Sequence, residues 1–196
     1  MSEGVNKTRR NILIGAMTGV GAVGAGFVAV PFVQSWNPSA KAKAAGAPIK
    51  VNVGKIEPGA MIIEEWQGKA VIIVRRTAEA LENIKKLDGD VKDPNSDASK
   101  QPAYAKNEFR SVKDEFLVLV GICTHLGCSP KYRPGVGELD ASWLGGFFCP
   151  CHGSKFDMAG RVFKGVPATA NLEVPPYYFE NDDVIVVGLN PAEVAA

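Results

Sequence analysis

The hydrophobic pattern divides the chain sharply. Residues 12–33 form an uncharged run of 22. At a helical rise of ~1.5 Å per residue it reaches ~33 Å, enough to cross a hydrocarbon core of about 30 Å. A membrane anchor is predicted over residues 12–34, after a short N-terminal segment, residues 1–11. Gly15 and Gly19 within the run form a GxxxG that permits close helix contact. Residues 35–48 then shift to Asn, Pro, Ser, Ala, Lys and Gly with no apolar period, and read as a solvated linker able to act as a hinge. From residue 49 to 196 the pattern changes to short runs with the period of a strand. Ile49–Val53 alternates, and Met61–Trp66, Ala70–Val74, Phe116–Ile122 and Val184–Val187 are rich in β-branched and aromatic residues. Turn signals at Pro58-Gly59, Gly68, Gly135, Gly137, Ala159-Gly160 and Asn181-Asp182 separate them.

One helix interrupts the strands. Leu81, Ile84 and Leu87 recur every three residues behind Thr77, a candidate N-cap, with Glu79 in the first turn and Lys85 and Lys86 in the last. Asp88-Gly89 stops it. Residues 88–108 are polar, with Pro94 and Pro102, and read as a long surface excursion. Pro175-Pro176 and the aromatic run Tyr177, Tyr178, Phe179 read as turn and core. The prediction is a mainly β domain with one short helical insertion behind a single membrane helix.

Charge narrows the partners. Twenty-two basic residues balance 21 acidic ones for a net +1, and no basic stripe is interleaved with aromatics, so nucleic acid is not the expected partner. The loops flanking the apolar run do not orient it: Lys7, Arg9 and Arg10 precede it, but Lys41, Lys43 and Lys50 follow. Thr8-Arg9-Arg10-Asn11-Ile12-Leu13 resembles a twin-arginine export signal, a route for proteins folded around a cofactor. Ala40-Lys41-Ala42 offers small residues for cleavage, but the apolar run exceeds the ~7–15 residues of a typical signal core, which favours a retained anchor.

The chemistry is concentrated. The chain has four cysteines and two histidines, and all fall in two stretches: Cys123-Thr124-His125-Leu126-Gly127-Cys128 and Cys149-Pro150-Cys151-His152-Gly153-Ser154. Such clustering implies a metal. The residues alone leave three assignments open: a structural zinc with a mixed shell, a ferredoxin-like cluster on four cysteines using the C-x4-C of Cys123 and Cys128, or a two-iron cluster shared between cysteines and histidines. The zinc module would be a non-redox binding protein.

In sequence, C-x-H-x-G-C followed by C-x-C-H-G-S resembles the paired boxes of Rieske iron-sulfur proteins, and the extra cysteine in each box resembles the quinol-oxidising branch. With anchor, linker and helical insertion, the chain is similar over nearly its whole length to the iron-sulfur subunits of bacterial cytochrome bc1 complexes. That resemblance implies an antiparallel β sandwich of Rieske type and one [2Fe-2S] cluster. It implies Cys123 and Cys149 on one iron, His125 and His152 on the other, and a disulfide between Cys128 and Cys151. Such a disulfide belongs in an oxidising compartment, which points to the periplasmic side of a bacterial inner membrane.

The implied activity is that of a quinol-cytochrome c reductase subunit. Quinol at the cytochrome b site gives up an electron and a proton, and the electron goes on to cytochrome c1, within a dimeric complex. His152 and His125 would hydrogen-bond the quinol, with Leu126 lining its docking surface. Around the cluster, Gly127, Ser154, Phe156 and Pro167 are implied neighbours, with Ser154 donating to a bridging sulfide. Phe156 replaces a tyrosine common in quinol-oxidising relatives. Losing that donor is expected to lower the potential, which suits a low-potential quinol such as menaquinone. Gly165-Val166-Pro167-Ala168 resembles the family's covering loop but has one proline where Gly-Pro-Ala-Pro has two. A related exported electron carrier, such as the Rieske small subunit of arsenite oxidase, is the nearest alternative in the same class.

Overall fold

A computed structural model describes Gly4 and residues 6–191. The ends of two predicted segments, residues 1–3 and 5 and residues 192–196, lie outside the described residues. The chain separates into two compact units, residues 1–44 and 45–196.

The first unit is built on helix α1, Lys7–Gln34, which starts before the apolar run and takes in Arg9 and Arg10. Asn6 caps it, its side-chain oxygen accepting from the Arg9 N–H at 3.2 Å, which satisfies one of the amides a helix start leaves free. At the other end the Ser35 N–H returns to the Pro31 carbonyl at 2.9 Å and its hydroxyl to the Phe32 carbonyl at 2.6 Å. No residue of α1 is buried. Twenty-eight residues span about 42 Å at the helical rise, and the helix is long and apolar enough to cross a membrane by length and composition. The linker is less irregular than its composition suggested, because Ala40–Ala45 forms a short exposed helix, α2. Alanine and lysine favour helix, and the Ser39 hydroxyl accepts from the Ala42 N–H at 3.2 Å, so a local cap supplies order where no apolar period does.

The second unit contains three three-stranded antiparallel sheets. Strand β1 (Ile49–Asn52) pairs with β9 (Val184–Val187), which pairs with β8 (Tyr177–Asn181). Strands β2 (Met61–Trp66), β3 (Lys69–Arg75) and β4 (Phe116–Val120) form the second sheet, and β5 (Lys131–Arg133), β6 (Gly146–Cys149) and β7 (Ser154–Asp157) the third. In the second sheet the central strand β3 buries Val71, Ile72, Ile73 and Val74, and all five residues of the edge strand β4 are buried as well. All of these but Val120 form one core with Phe147, Phe156, Leu172, Tyr177 and Ile185.

Helix α3 (Ala78–Lys86) follows its signals. Thr77 accepts from the Ala80 N–H at 3.1 Å, Glu79 and the Lys85/Lys86 pair complement the dipole, and Ile84 is fully buried. The polar excursion is also well tied down. Asp93 organises it locally, its carboxylate accepting from the Asp97 and Ala98 amides and the Ser99 hydroxyl. Val91 makes a β-bridge with Phe163.

Three arginines hold the loops around the third sheet. Arg161 pairs with buried Asp157 at 2.7 Å and with Asp88 at 2.6 Å, and donates to the Ile84 carbonyl at 2.6 Å. Arg110 donates to the Ala159 and Leu172 carbonyls at 3.1 and 2.7 Å. Arg76 reaches the carbonyls of Asp114, Phe109 and Met158. Burial lowers Arg76 and Arg110 to about 10, still charged at neutral pH. Burial also works against the charge of Arg161, but Asp157 and Asp88 outweigh it and its pKa rises.

Gly146 opens β6 at φ +151°, where an added Cβ would lie 2.0 Å from the Phe156 carbonyl oxygen. No side chain fits without separating β6 from β7. We expect Gly146→Ala to destabilise the domain by roughly 3 kcal/mol or more, read as a lower denaturant midpoint; an unchanged midpoint would show that the hairpin tolerates the shift.

Candidate metal centre

Both cysteine-histidine boxes sit at the ends of strands. The first follows β4, and the second is the connection between β6 and β7, where Cys149 and Ser154 face each other in register. Their backbones are built alike. The Gly127 N–H returns to the Cys123 carbonyl at 3.0 Å, and the Gly153 N–H to the Cys149 carbonyl at 3.0 Å. Gly127 and Gly153 take φ of +82° and +76°, and a Cβ at either would meet nothing. Glycine is therefore needed for the left-handed backbone, not for space. In the first box a further bond from the Cys123 N–H to the Cys128 carbonyl, 2.7 Å, closes the turn.

The turns bring the six predicted residues together. Cys128 and Cys151 are joined by a disulfide, which links one box to the other. Cys123 and Cys149 are buried free thiols, close enough to interact, and Cys123 also faces the His125 amide and the Ser154 hydroxyl. Burial pushes the Cys123 thiol up and Cys149 pushes it the same way, against the His125 and Ser154 hydrogen bonds. The rings of His125 and His152 stand edge to face with centroids 4.7 Å apart. His152 is exposed and His125 half-buried. The sulfurs of Cys128, Cys149 and Cys151 all lie within 4.8 Å of one another, but the disulfide removes two of them from thiolate chemistry. Of these three sulfurs only that of Cys149 is free, so the thiolates available to a metal are Cys123 and Cys149.

A metal fits the remaining donors. His125 Nδ1 is buried and has no hydrogen-bond partner, an arrangement that costs about 1–3 kcal/mol unless the nitrogen is used. Two thiols and two imidazoles then supply four ligands, two for each iron of a two-iron centre.

The surrounding residues divide into those that hold the boxes and those that face outward. Ser154 is fully buried, and its Oγ accepts from the Ala168 N–H at 3.0 Å, leaving its own proton for a sulfur. Thr124 Oγ1 donates to the Ala170 carbonyl at 2.6 Å and Thr169 Oγ1 to the Thr124 carbonyl at 3.4 Å. The 165–170 segment is thus tied to both boxes. These contacts were not anticipated, because the hydroxyls of Thr124 and Thr169 carry no motif of their own. Within that segment Pro167 is exposed and Ala168 buried. Phe156 is fully buried on β7, two residues beyond Ser154 and on the same strand face. Leu126, by contrast, is 71% exposed at the tip of the first box, a conspicuous position for a large apolar side chain.

Comparison with known proteins gives two family matches and several near full-length relatives. Residues 1–39 match the family model described as the ubiquinol-cytochrome c reductase Fe-S subunit TAT signal, and residues 89–177 match the Rieske [2Fe-2S] domain. The chain is 53% identical over 189 residues to the ubiquinol-cytochrome c reductase iron-sulfur subunit of Allochromatium vinosum, covering 95% of this chain and 91% of that one. The chain belongs to the Rieske iron-sulfur subunit family. The Blastochloris viridis subunit of the same description is 40% identical, with 97% and 98% of the two chains covered. A mitochondrial Rieske subunit of Saccharomyces cerevisiae is 40% identical over 89% of this chain and 73% of its own. Among solved structures, a chain of a hyperthermophilic respiratory Complex III aligns with TM-score 0.48 and 28% identity over 89% of this chain and 98% of that one. As a Rieske protein the chain carries a [2Fe-2S] cluster. The matched Rieske segment begins inside the polar excursion, so β1, β2, β3 and α3 precede it.

Proposed function

We propose that this chain is the iron-sulfur subunit of a quinol-cytochrome c reductase, oxidising quinol at cytochrome b and passing the electron to cytochrome c1. The assignment rests on one observation above all: two imidazoles 4.7 Å apart beside two buried free thiols, with His125 Nδ1 left unpartnered. Cys123 and Cys149 would bind one iron, and His125 and His152 the other. Two imidazoles in place of two thiolates make the oxidised centre neutral instead of doubly negative, and the cluster supplies one-electron chemistry at about −150 to +300 mV, against about −400 mV for plant-type clusters. A spectrum of the reduced protein tests this. Histidine ligation gives a lower average g than four thiolates, and a colourless chain without that signal would end the proposal.

The protein's own residues handle the proton. A metal held at Nδ1 would leave Nε2 of each ring free to hold or release a proton. Exposed His152 accepts the quinol hydroxyl's hydrogen bond at that nitrogen and keeps the proton as the quinol is oxidised, with His125 beside it. Leu126 supplies apolar surface for docking into the cytochrome b pocket. We expect Leu126→Ala to raise the apparent KM for quinol several-fold while the isolated protein keeps its spectrum; unchanged KM and turnover would remove Leu126 from docking.

Phe156 lacks the hydroxyl that a tyrosine would offer a ligand sulfur. Its full burial beside the second box supports a direct effect on potential, through one fewer donor to the electron-rich reduced state. Phe156→Tyr is expected to raise the midpoint, and a redox titration showing no shift would separate this position from tuning. The lower midpoint suits a low-potential quinol.

Residues 12–34 serve as the anchor and 35–48 as the hinge. Residues 49–196 form the cluster domain on the periplasmic side of the bacterial inner membrane, in a dimeric complex. An uncleaved N-terminus by mass measurement and protease access from the periplasmic side would support this topology.

A further inference from the structure

One side chain of the polar excursion reaches the cluster region from outside both boxes. Lys92 Nζ donates to the Val166 carbonyl at 2.7 Å and the Ala168 carbonyl at 2.6 Å. These carbonyls flank Pro167, so a single ammonium grips both sides of the covering loop. Ala168 is held from the other direction as well, its N–H donating to Ser154 Oγ at 3.0 Å. Ser154 in turn faces the Cys123 sulfur.

The base of the lysine is fixed too. The Lys92 N–H donates to the Val162 carbonyl at 2.9 Å, the Lys164 N–H to the Asp90 carbonyl at 2.8 Å, and Val91 bridges Phe163. The excursion is therefore bonded along residues 90–92 to the segment 162–164 that leads into the covering loop. A lone exposed ammonium contributes little to stability. Two carbonyls of one loop held at once restrict the backbone of that loop, and this loop has one proline where the resembling form has two.

We propose that Lys92 is a positioning residue for the cluster, clamping residues 166–168 so that the Ala168 amide occupies the acceptor side of Ser154 Oγ and leaves its proton for a sulfur of the centre. The proposal builds on the functional reading above. With Ala168 fixed, Ser154 Oγ has its acceptor side occupied and its proton directed to sulfur, which favours the reduced state. With Lys92 removed, the hydroxyl samples other rotamers and the midpoint falls.

The experiment uses the cluster-loaded full-length chain in detergent, with Lys92→Met, Lys92→Arg, Ser154→Ala, the Lys92→Met/Ser154→Ala double variant, and Lys55→Met as a charge control. Lys92→Met should lower the midpoint and speed amide exchange at Ala168 roughly tenfold, the weight of one hydrogen bond to a charged group. Lys92→Arg should restore most of both. In the Ser154→Ala background, Lys92→Met should add little further shift, because the two act through one contact. A wild-type midpoint in Lys92→Met, an equal shift in Lys55→Met, or an undiminished shift without Ser154 would each overturn the clamp. Amide exchange reads the loop with or without the cluster. A wild-type chain lacking the histidine-ligated spectrum would thus defeat the functional reading, while unchanged Ala168 exchange in Lys92→Met would defeat the clamp alone.

Discussion

Alanine at His125 or His152 is expected to yield a folded chain that has lost its [2Fe-2S] cluster. Neither ring is part of the packed core: His152 is exposed and His125 half-buried, while the core is built from β3, β4 and the aromatic residues of β6, β7 and β8. Stability of the iron-free domain should change by no more than about 1 kcal/mol, the scale of an ordinary substitution outside a core. Iron content should fall by far more. Loss of a residue that merely supports a ligand costs about 10–100-fold in metal affinity, and removing the ligand itself leaves one iron a bond short. Iron per chain, the visible spectrum and circular dichroism of the purified variants give the two halves of the answer. A cluster persisting in either variant with unaltered spectrum and midpoint would place the imidazoles outside the ligand set.

The second large effect concerns the Cys128–Cys151 bond. Replacing both residues with serine is expected to cost on the order of 3 kcal/mol, the chain-entropy value for a loop of this length, since the two positions are 23 residues apart. The cost to the centre should exceed the cost to the fold. Strands β5 and β6 still pair within that loop and β7 just beyond it, but the first box, after β4, loses its covalent tie to the second. The two thiols and two imidazoles then need not converge. A lower denaturant midpoint, with a slope that rises as the unfolded chain loses its cross-link, reads the first effect, and iron per chain reads the second. If the double serine variant unfolds at the wild-type midpoint and retains full iron, the bond is dispensable for both. Alkylation of the iron-free wild type should label two thiols; four would contradict the pairing.

The strands with the strongest pattern were legible because each is apolar on both faces or clearly alternating. Met61–Trp66 and Val184–Val187 coincide with β2 and β9, and Thr77 caps α3 where its spacing placed it. Strands β5 and β7 escaped notice for a physical reason. Lys131–Arg133 and Ser154–Asp157 alternate charged or polar residues with single aromatics, and they form strands because β6 lies between them as a template. Tyr177–Asn181 read as core and turn, but its partner β9 draws it into a sheet, with the Tyr177 hydroxyl accepting from the Val112 N–H at 2.8 Å. The six cysteine and histidine residues were legible at once, since few sequences concentrate such side chains in two short boxes. What could not be read was their support. Arg76, Arg110 and Arg161 look like surface charge in a chain of near-zero net charge, yet all three are buried and satisfy loop carbonyls. Lys92 had no distinguishing neighbour at all. Its significance arises from a distance of 74 residues to Val166 and 76 to Ala168, which only the folded chain brings to zero.

The pairing of β1 with β9 joins the earliest strand of the domain to its last, Ile49 opposite Val187 and Asn52 opposite Val184. During synthesis β1 emerges first and must wait for nearly the entire domain before its partner exists. The sheet cannot close on the ribosome while residues 184–187 are still being made, so folding is completed only after the growing chain has delivered them. A domain whose first and last strands pair therefore closes only as a whole, and a chain cut short of residue 184 leaves β1 without its partner.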